Sequence, residues 1–242
     1  SDDQKKQLSK SQFLSSTDTS AAFKYSLEYN PSGSSNIKLR FPNLCLDTQV
    51  SLFLKYNAEN YISAIALIAE QISLDEFEIV RSNSIKLPQG RGEILKLREG
   101  NILIDFAHDH QSIQNILSEL ANYHDEIILV FGCGGDRDKS KRSKMMKIAQ
   151  DFASKIFFTS DNNRYEPFSS IVKDAMAGNS YTSIEILEDR KEAISLALQC
   201  LNKENILVIL GKGHETYMDV SGKKVPFNDK DCVLEILGNE IN

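Results

Sequence analysis

The chain has 242 residues, enough for one large domain or two modest ones, and 41% of them are hydrophobic, so a real core can form. A formal net charge of -6 argues against a general nucleic-acid binder, which needs a basic surface. No apolar run approaches the about 20 residues that span a bilayer, and the N-terminus carries no signal-peptide pattern. The cysteines Cys45, Cys133, Cys200 and Cys232 are too scattered for a disulfide framework or for metal-ligand spacing. The expected setting is therefore a reducing cytoplasm, with neither nucleic acid nor membrane as partner. The sequence opens on Ser1 with no methionine, which suggests a fragment or a processed chain.

In chain order, residues 1–56 are rich in Ser, Asn, Thr and Lys. Phe23–Asn30 reads as a strand, 31–36 as a turn and 37–41 as the returning partner. Residues 58–72 read as a helix with Ile62, Ile65, Ala66, Ala69 and Ile72 on one face. Leu87-Pro88-Gln89-Gly90 marks a boundary that divides the chain into domains at 1–87 and 88–242. Beyond it, apolar runs at 102–107, 127–131, 156–159, 184–187 and 206–210 read as strands.

Helices with apolar stripes lie between these runs. The stripes are Ile113, Ile116, Leu117, Leu120; Met145, Ile148, Ala149, Phe152; Phe168, Ile171, Val172, Ala175, Met176; and Ala193, Ile194, Ala197, Leu198, Leu201. A hairpin around Ser221-Gly222-Lys223-Lys224 and a helix over 229–237 end the pattern. Strands alternating with helices predict an α/β fold, with a parallel sheet covered on both faces. Ligands in such folds bind at the carboxyl ends of the strands.

Unusual residues cluster at those ends. The first run leads into Asp105-Phe106-Ala107-His108-Asp109-His110, the second into Gly132-Cys133-Gly134-Gly135-Asp136-Arg137-Asp138-Lys139. The third ends in Asp161-Asn162-Asn163-Arg164 and the fifth in Gly211-Lys212-Gly213-His214-Glu215. The glycine-rich loop is either an anion cradle or a plain glycine turn before solvated charges. It is not a Walker A loop, because no Gly, four residues, then Gly-Lys-Ser/Thr occurs anywhere in the chain. Asp161–Arg164 is either a polar turn or a carboxylate grip built on Arg164. Gly211–Glu215 is either a glycine-assisted strand exit or a site where Glu215 holds an amine. Asp105, His108 and His110 are either a divalent-metal set, which would suit a hydrolase, or a helix-start loop.

Together, Gly90-Arg91-Gly92-Glu93, Asp105–His108, Gly132–Lys139 with Lys141-Arg142, Asp161–Arg164 and Gly211–Glu215, in this order, resemble the Mur ligase family. The glycine-rich loop and Gly-Lys-Gly-His-Glu are specific to the branch that uses diaminopimelate. The likeness runs from about Asn57 to Gly238 and is thin before it. It implies a Rossmann-like, mostly parallel C-terminal domain that binds the amino acid, preceded by part of an α/β ATP-binding central domain. It implies an ATP- and Mg2+-dependent amide ligase of peptidoglycan precursor synthesis, acting as a monomer on meso-diaminopimelate and a UDP-N-acetylmuramoyl-dipeptide.

Matched residue by residue, Asn60, Arg91 and Asp105 would contact ATP. Arg137, Asp161, Asn162, Asn163, Arg164, Gly211 and Glu215 would hold the diamino acid. Asn163 stands where the family pattern has proline, and Arg164 favours diaminopimelate over lysine, which lacks a second carboxylate. The family's phosphate loop, its carbamylated lysine and its uridine-nucleotide domain would all lie before Ser1. The expectation is that this chain alone does not turn over. An alternative is a non-catalytic amino-acid-binding remnant.

Overall fold

The computed structural model describes residues 14–15, 23–30, 34–41, 44–50, 54–68 and 87–240. The chain divides into two compact units, Ser1–Leu87 and Pro88–Asn242.

In the first unit, β1 (Leu14–Ser15), β2 (Phe23–Asn30), β3 (Ser34–Phe41) and β4 (Leu44–Val50) form one sheet in chain order. β1 runs parallel to β2, and the other pairs are antiparallel. The expected β2–β3 pair is present, while β4 adds a strand the sequence pattern did not mark. Helix α1 (Lys55–Ile68) begins three residues earlier than expected. Ala58, Ile62 and Ile65 are buried at helical spacing, with Leu54 just ahead of them. The expected stripe residues Ala69 and Ile72 lie outside the described residues.

The second unit is built on a six-stranded sheet in the order β5-β6-β10-β7-β8-β9. Its strands are β5 (Arg91–Lys96), β6 (Asn101–Asp105), β7 (Glu126–Cys133), β8 (Lys155–Ser160), β9 (Ile184–Leu187) and β10 (Asn205–Leu210). All neighbours are parallel except β5, which runs antiparallel along β6 with a bulge between Arg91 and Glu93. The strands expected from apolar runs are all here. β5 escaped notice because its Ile94 and Leu95 are adjacent and give no period of two. Its extended state comes from pairing with β6.

Helices α2 (His110–Leu120), α3 (Arg142–Phe152), α4 (Phe168–Met176), α5 (Arg190–Gln199) and α6 (Asp229–Glu240) cover the sheet. Ile102, Ile104, Ile128, Val130, Phe157, Leu207 and Ile209 meet Ala193, Ile194 and Ala197 of α5 and Cys232, Val233 and Ile236 of α6 in one core cluster. The alternate strand residues, Leu103, Leu129, Phe131, Phe158 and Val208, are equally buried on the opposite face. There Phe158 packs edge-on to Phe131 and stacks on Phe168 of α4.

The α2 stripe is buried as expected. On α3 the buried residues are Arg142, Met145, Met146 and Ala149, not Ile148 and Phe152. A charged residue can lead the buried stripe because it is ion-paired (below). β11 (Tyr217–Val220) and β12 (Lys223–Pro226) form the expected hairpin. Ser221 and Gly222 turn it with φ of 52° and 75°, the left-handed pair that matches strand twist.

Candidate functional site

β10 is inserted between β6 and β7, so the chain leaves the sheet in opposite directions around it. Such a reversal opens a crevice at the carboxyl edge. The loops after β6, β7, β8 and β10 converge there on a cavity of about 580 Å³. Its walls include His108, Arg137, Asp161, Asn162, Arg164, Gly211 and Glu215.

The loops are bolted to one another by their backbones. Gly135 N–H donates to Asn162 O at 2.9 Å, and a Cβ on Gly135 would lie 1.9 Å from Asn163 O. Only glycine permits that approach. Arg142, buried at the head of α3, donates to Gly134 O at 3.0 Å and to both oxygens of Glu166 at 2.8 and 2.6 Å. Asp174 takes a further bond from Arg142 Nη1 at 2.8 Å. Glu166 Oε2 in turn accepts the Asp136 N–H at 2.9 Å. Neither Arg142 nor Glu166 was marked as a site residue by the sequence; the only hint was Lys141-Arg142 closing the glycine-rich motif.

Arg164 holds a left-handed backbone, φ 53°. Two backbone bonds to the hairpin hold it, Arg164 N–H to Asp219 O at 2.9 Å and Ser221 N–H to Arg164 O at 2.7 Å, and Asp219 N–H also donates to Asn162 Oδ1 at 2.9 Å. Its Nη1 donates to Gly135 O at 2.7 Å and Asn162 O at 3.3 Å. Its Nε and Nη2 have no partner among the described residues, so one edge of the guanidinium is left for a ligand.

Also lining the cavity, Glu215 accepts at Oε2 from Lys212 Nζ and from Asn162 Nδ2, each at 2.8 Å. Burial works against ionisation of Glu215, but those two bonds outweigh it and hold its carboxyl below the usual range. Gly211, φ 112°, brings the backbone against Asp161, whose Oδ2 would lie 3.4 Å from a Cβ there. Asn163 is the exception among the predicted contacts. It is buried and turns its amide to Ser160 Oγ at 3.0 Å, outside the cavity wall. A side chain in place of the family's proline thus holds the turn from within.

The predicted nucleotide contacts lie elsewhere. Arg91 and Asp105 are register partners across β5 and β6. The Arg91 guanidinium stacks 4.5 Å over the Phe106 ring. Asp105 is buried and accepts the N–H groups of Gly92 at 2.7 Å and Ala107 at 2.8 Å, so its carboxylate shapes both loops. Asn60 is exposed on α1 in the first unit.

His108 Nδ1 bonds Phe106 O at 2.9 Å, and among the described residues no three His, Cys, Asp or Glu side chains gather as a ligand set. The loop is a helix start: Asp109 caps α2 through Gln111 N–H and Ser112 N–H.

Residues 90–213, which span β5 through the strand-end loops just described, match the family model for the Mur ligase glutamate ligase domain. The chain belongs to the Mur ligase family. It is 34% identical over 206 residues to a UDP-N-acetylmuramoyl-L-alanyl-D-glutamate–2,6-diaminopimelate ligase of Rickettsia typhi, covering 84% of this chain and 41% of that one. A protein of the same name from Fusobacterium nucleatum is 36% identical over 210 residues, covering 85% and 43%. A solved structure bearing that name superposes with a TM-score of 0.68 at 29% identity, over 95% of this chain and 48% of the other. The chain thus spans under half the length of these Mur ligase relatives. No described helix is long and apolar enough to cross a membrane.

Proposed function

We propose that this chain supplies the amino-acid-binding portion, 88–242, and part of the ATP-binding central domain, 1–87, of a cytoplasmic ligase. That enzyme would add meso-diaminopimelate to UDP-N-acetylmuramoyl-L-Ala-D-Glu in peptidoglycan precursor synthesis. The observation that supports this reading is the charge layout of the cavity. Arg164 and Arg137 line the same cavity as Glu215 and Asp161, so both signs of charge border it. A diamino dicarboxylate has the complementary ends. The Arg164 guanidinium edge suits its distal carboxylate, and the unpartnered Glu215 Oε1 suits its distal ammonium. The other amine is then left to react.

ATP supplies the phosphoryl group that activates the dipeptide carboxylate, and the amine displaces phosphate to form the amide. Arg91 on Phe106 fits a nucleotide edge, since a stacked guanidinium offers both charge and donors. Among the described residues no three His, Cys, Asp or Glu side chains gather as a ligand set for Mg2+. The phosphate-loop motif is absent from the sequence, and binding without turnover is the behaviour expected of this chain.

Calorimetric titration with meso-diaminopimelate and with lysine tests the reading. Wild type should prefer diaminopimelate. Arg164→Ala should weaken it about tenfold or more while barely changing lysine affinity. Equal losses for both ligands would show that Arg164 does not read the second carboxylate.

A further inference from the structure

We propose that Lys212 is a positioning residue for the ammonium end of the cavity, clamping one oxygen of Glu215 so that the other faces the ligand. This rests on the amino-acid-binding reading above and deepens it.

Lys212 is completely buried. A lysine is almost never so unless paired, because its ammonium gives up its hydration. Its Nζ bonds Glu215 Oε2 at 2.8 Å and Asn162 Oδ1 at 3.3 Å, and lies 3.7 Å from Asp161 Oδ1. Asn162 closes the triangle by donating Nδ2 to the same Glu215 oxygen at 2.8 Å. The amide orientation is forced. Oδ1 faces two donors, Lys212 Nζ and Asp219 N–H, while Nδ2 faces a carboxylate.

Oε2 therefore receives two donors, and Oε1 receives none among the described residues. The carboxylate cannot swing, and it offers one oxygen to the cavity that it lines. The cluster of Lys212, Asp161 and Glu215 carries one net negative charge when ionised. That is the complement of a single ligand ammonium. Without Lys212, two carboxylates would face each other in a half-desolvated site, which favours protonation of one of them. Asn162 then belongs to the same device, with its side chain bound inside the protein.

The charged groups facing Glu215 are His214 from its own loop and Asp161 from the end of β8. The cavity is also lined by His108, Arg137, Asp138, Lys141, Arg142 and Arg164. Among the charged side chains of the described residues, only Lys212 bonds its carboxylate.

The test follows the Glu215 side-chain carboxyl by 13C NMR against pH, in wild type and Lys212→Met, with Glu215→Gln to assign the signal. Meso-diaminopimelate titrations at several pH values accompany it. In wild type the carboxyl should stay ionised below the ordinary glutamate range. In Lys212→Met its midpoint should rise, diaminopimelate affinity should fall about tenfold or more at neutral pH, and the acid limb of binding should move up in step. A carboxyl that titrates alike in both proteins overturns the role of Lys212. A carboxyl that moves as expected in a protein that binds no diamino acid supports the clamp and overturns the ligand assigned above. Should Lys212→Met fail to fold, a wild-type midpoint at or above the ordinary value still overturns the proposal.

Discussion

Arg142 and Glu166 meet as a two-point ion pair inside the protein, Nη1 to Oε1 at 2.8 Å and Nη2 to Oε2 at 2.6 Å. The pair holds the glycine loop at both ends of its turn, through Gly134 O and Asp136 N–H. The Arg142 bonds draw the Glu166 carboxyl well below the usual range, against the opposing effect of burial. Because the folded value is depressed, its stabilisation is full above the unfolded glutamate value of about 4.3 and is lost as pH falls below it. Urea denaturation from about pH 6 to about pH 3 should show a steeper acid loss in wild type than in Glu166→Gln. At pH 7 the variant should be about 3 kcal/mol less stable. Parallel acid slopes would exclude Glu166 as the source.

Arg190 and Asp229 form a second pair with no solvent exposure, Nε to Oδ1 at 2.8 Å and Nη2 to Oδ2 at 2.9 Å. Arg190 also donates to Ser160 O at 3.3 Å and Leu210 O at 2.9 Å, and so ties the ends of β8 and β10 on either side of β7. Those ends carry Asp161 and Gly211. Lysine cannot reproduce the fork, so Arg190→Lys should cost about 3–5 kcal/mol in urea unfolding. A cost under about 1 kcal/mol would mean that the charge alone suffices.

Gly90 and Gly213 face each other where the start of the second unit meets the strand-end loops. A Cβ on Gly90 would lie 2.1 Å from the Gly213 carbonyl carbon, and its φ is 63°. Gly178, φ 78°, has nothing within 4 Å of a Cβ. Gly90→Ala should therefore lose about 2 kcal/mol more than Gly178→Ala, which suffers only the backbone strain. Thermal melts of the two variants make the comparison; equal losses would show that the Gly213 loop moves aside freely.

The thiol of Cys133 borders the cavity yet is pushed up to about 12 by burial and by the Asp161 charge. Cys232 is pushed up to about 11, chiefly by burial. Cys200 is half-buried. Of these three, iodoacetamide at about pH 8 should label Cys200 first and leave Cys133 and Cys232 silent, as read by peptide mass mapping. Early labelling of Cys133 would reveal an opening of the cavity wall.

Local pattern carried much of the fold. Strands 102–107 and 206–210, the α2 stripe and the Ser221-Gly222 turn were legible because burial in a sheet or on a helix face imposes a short period on neighbouring residues. The strand-end loops were legible for a related reason. A parallel sheet puts consecutive carboxyl ends on one edge, so Asp161, Arg164, Gly211 and Glu215 had to share it.

What local pattern could not decide was how charges pair across the chain. Lys212 gives no sign in sequence that it is buried: Glu215 stands three residues on, but Asn162, which closes the cluster over both, is 50 residues away. Arg142 replaces an apolar residue in the α3 stripe only because Glu166, 24 residues on, neutralises it. Asn163 turns its amide to Ser160 Oγ, and only folding brings Gly135 against its carbonyl. Residue type and spacing alone thus determined most of the elements, though not β4 or β5, and the edge where the site lies. The tertiary structure decided which polar atoms face that site, because an ion pair's desolvation is offset only by partners that folding brings together.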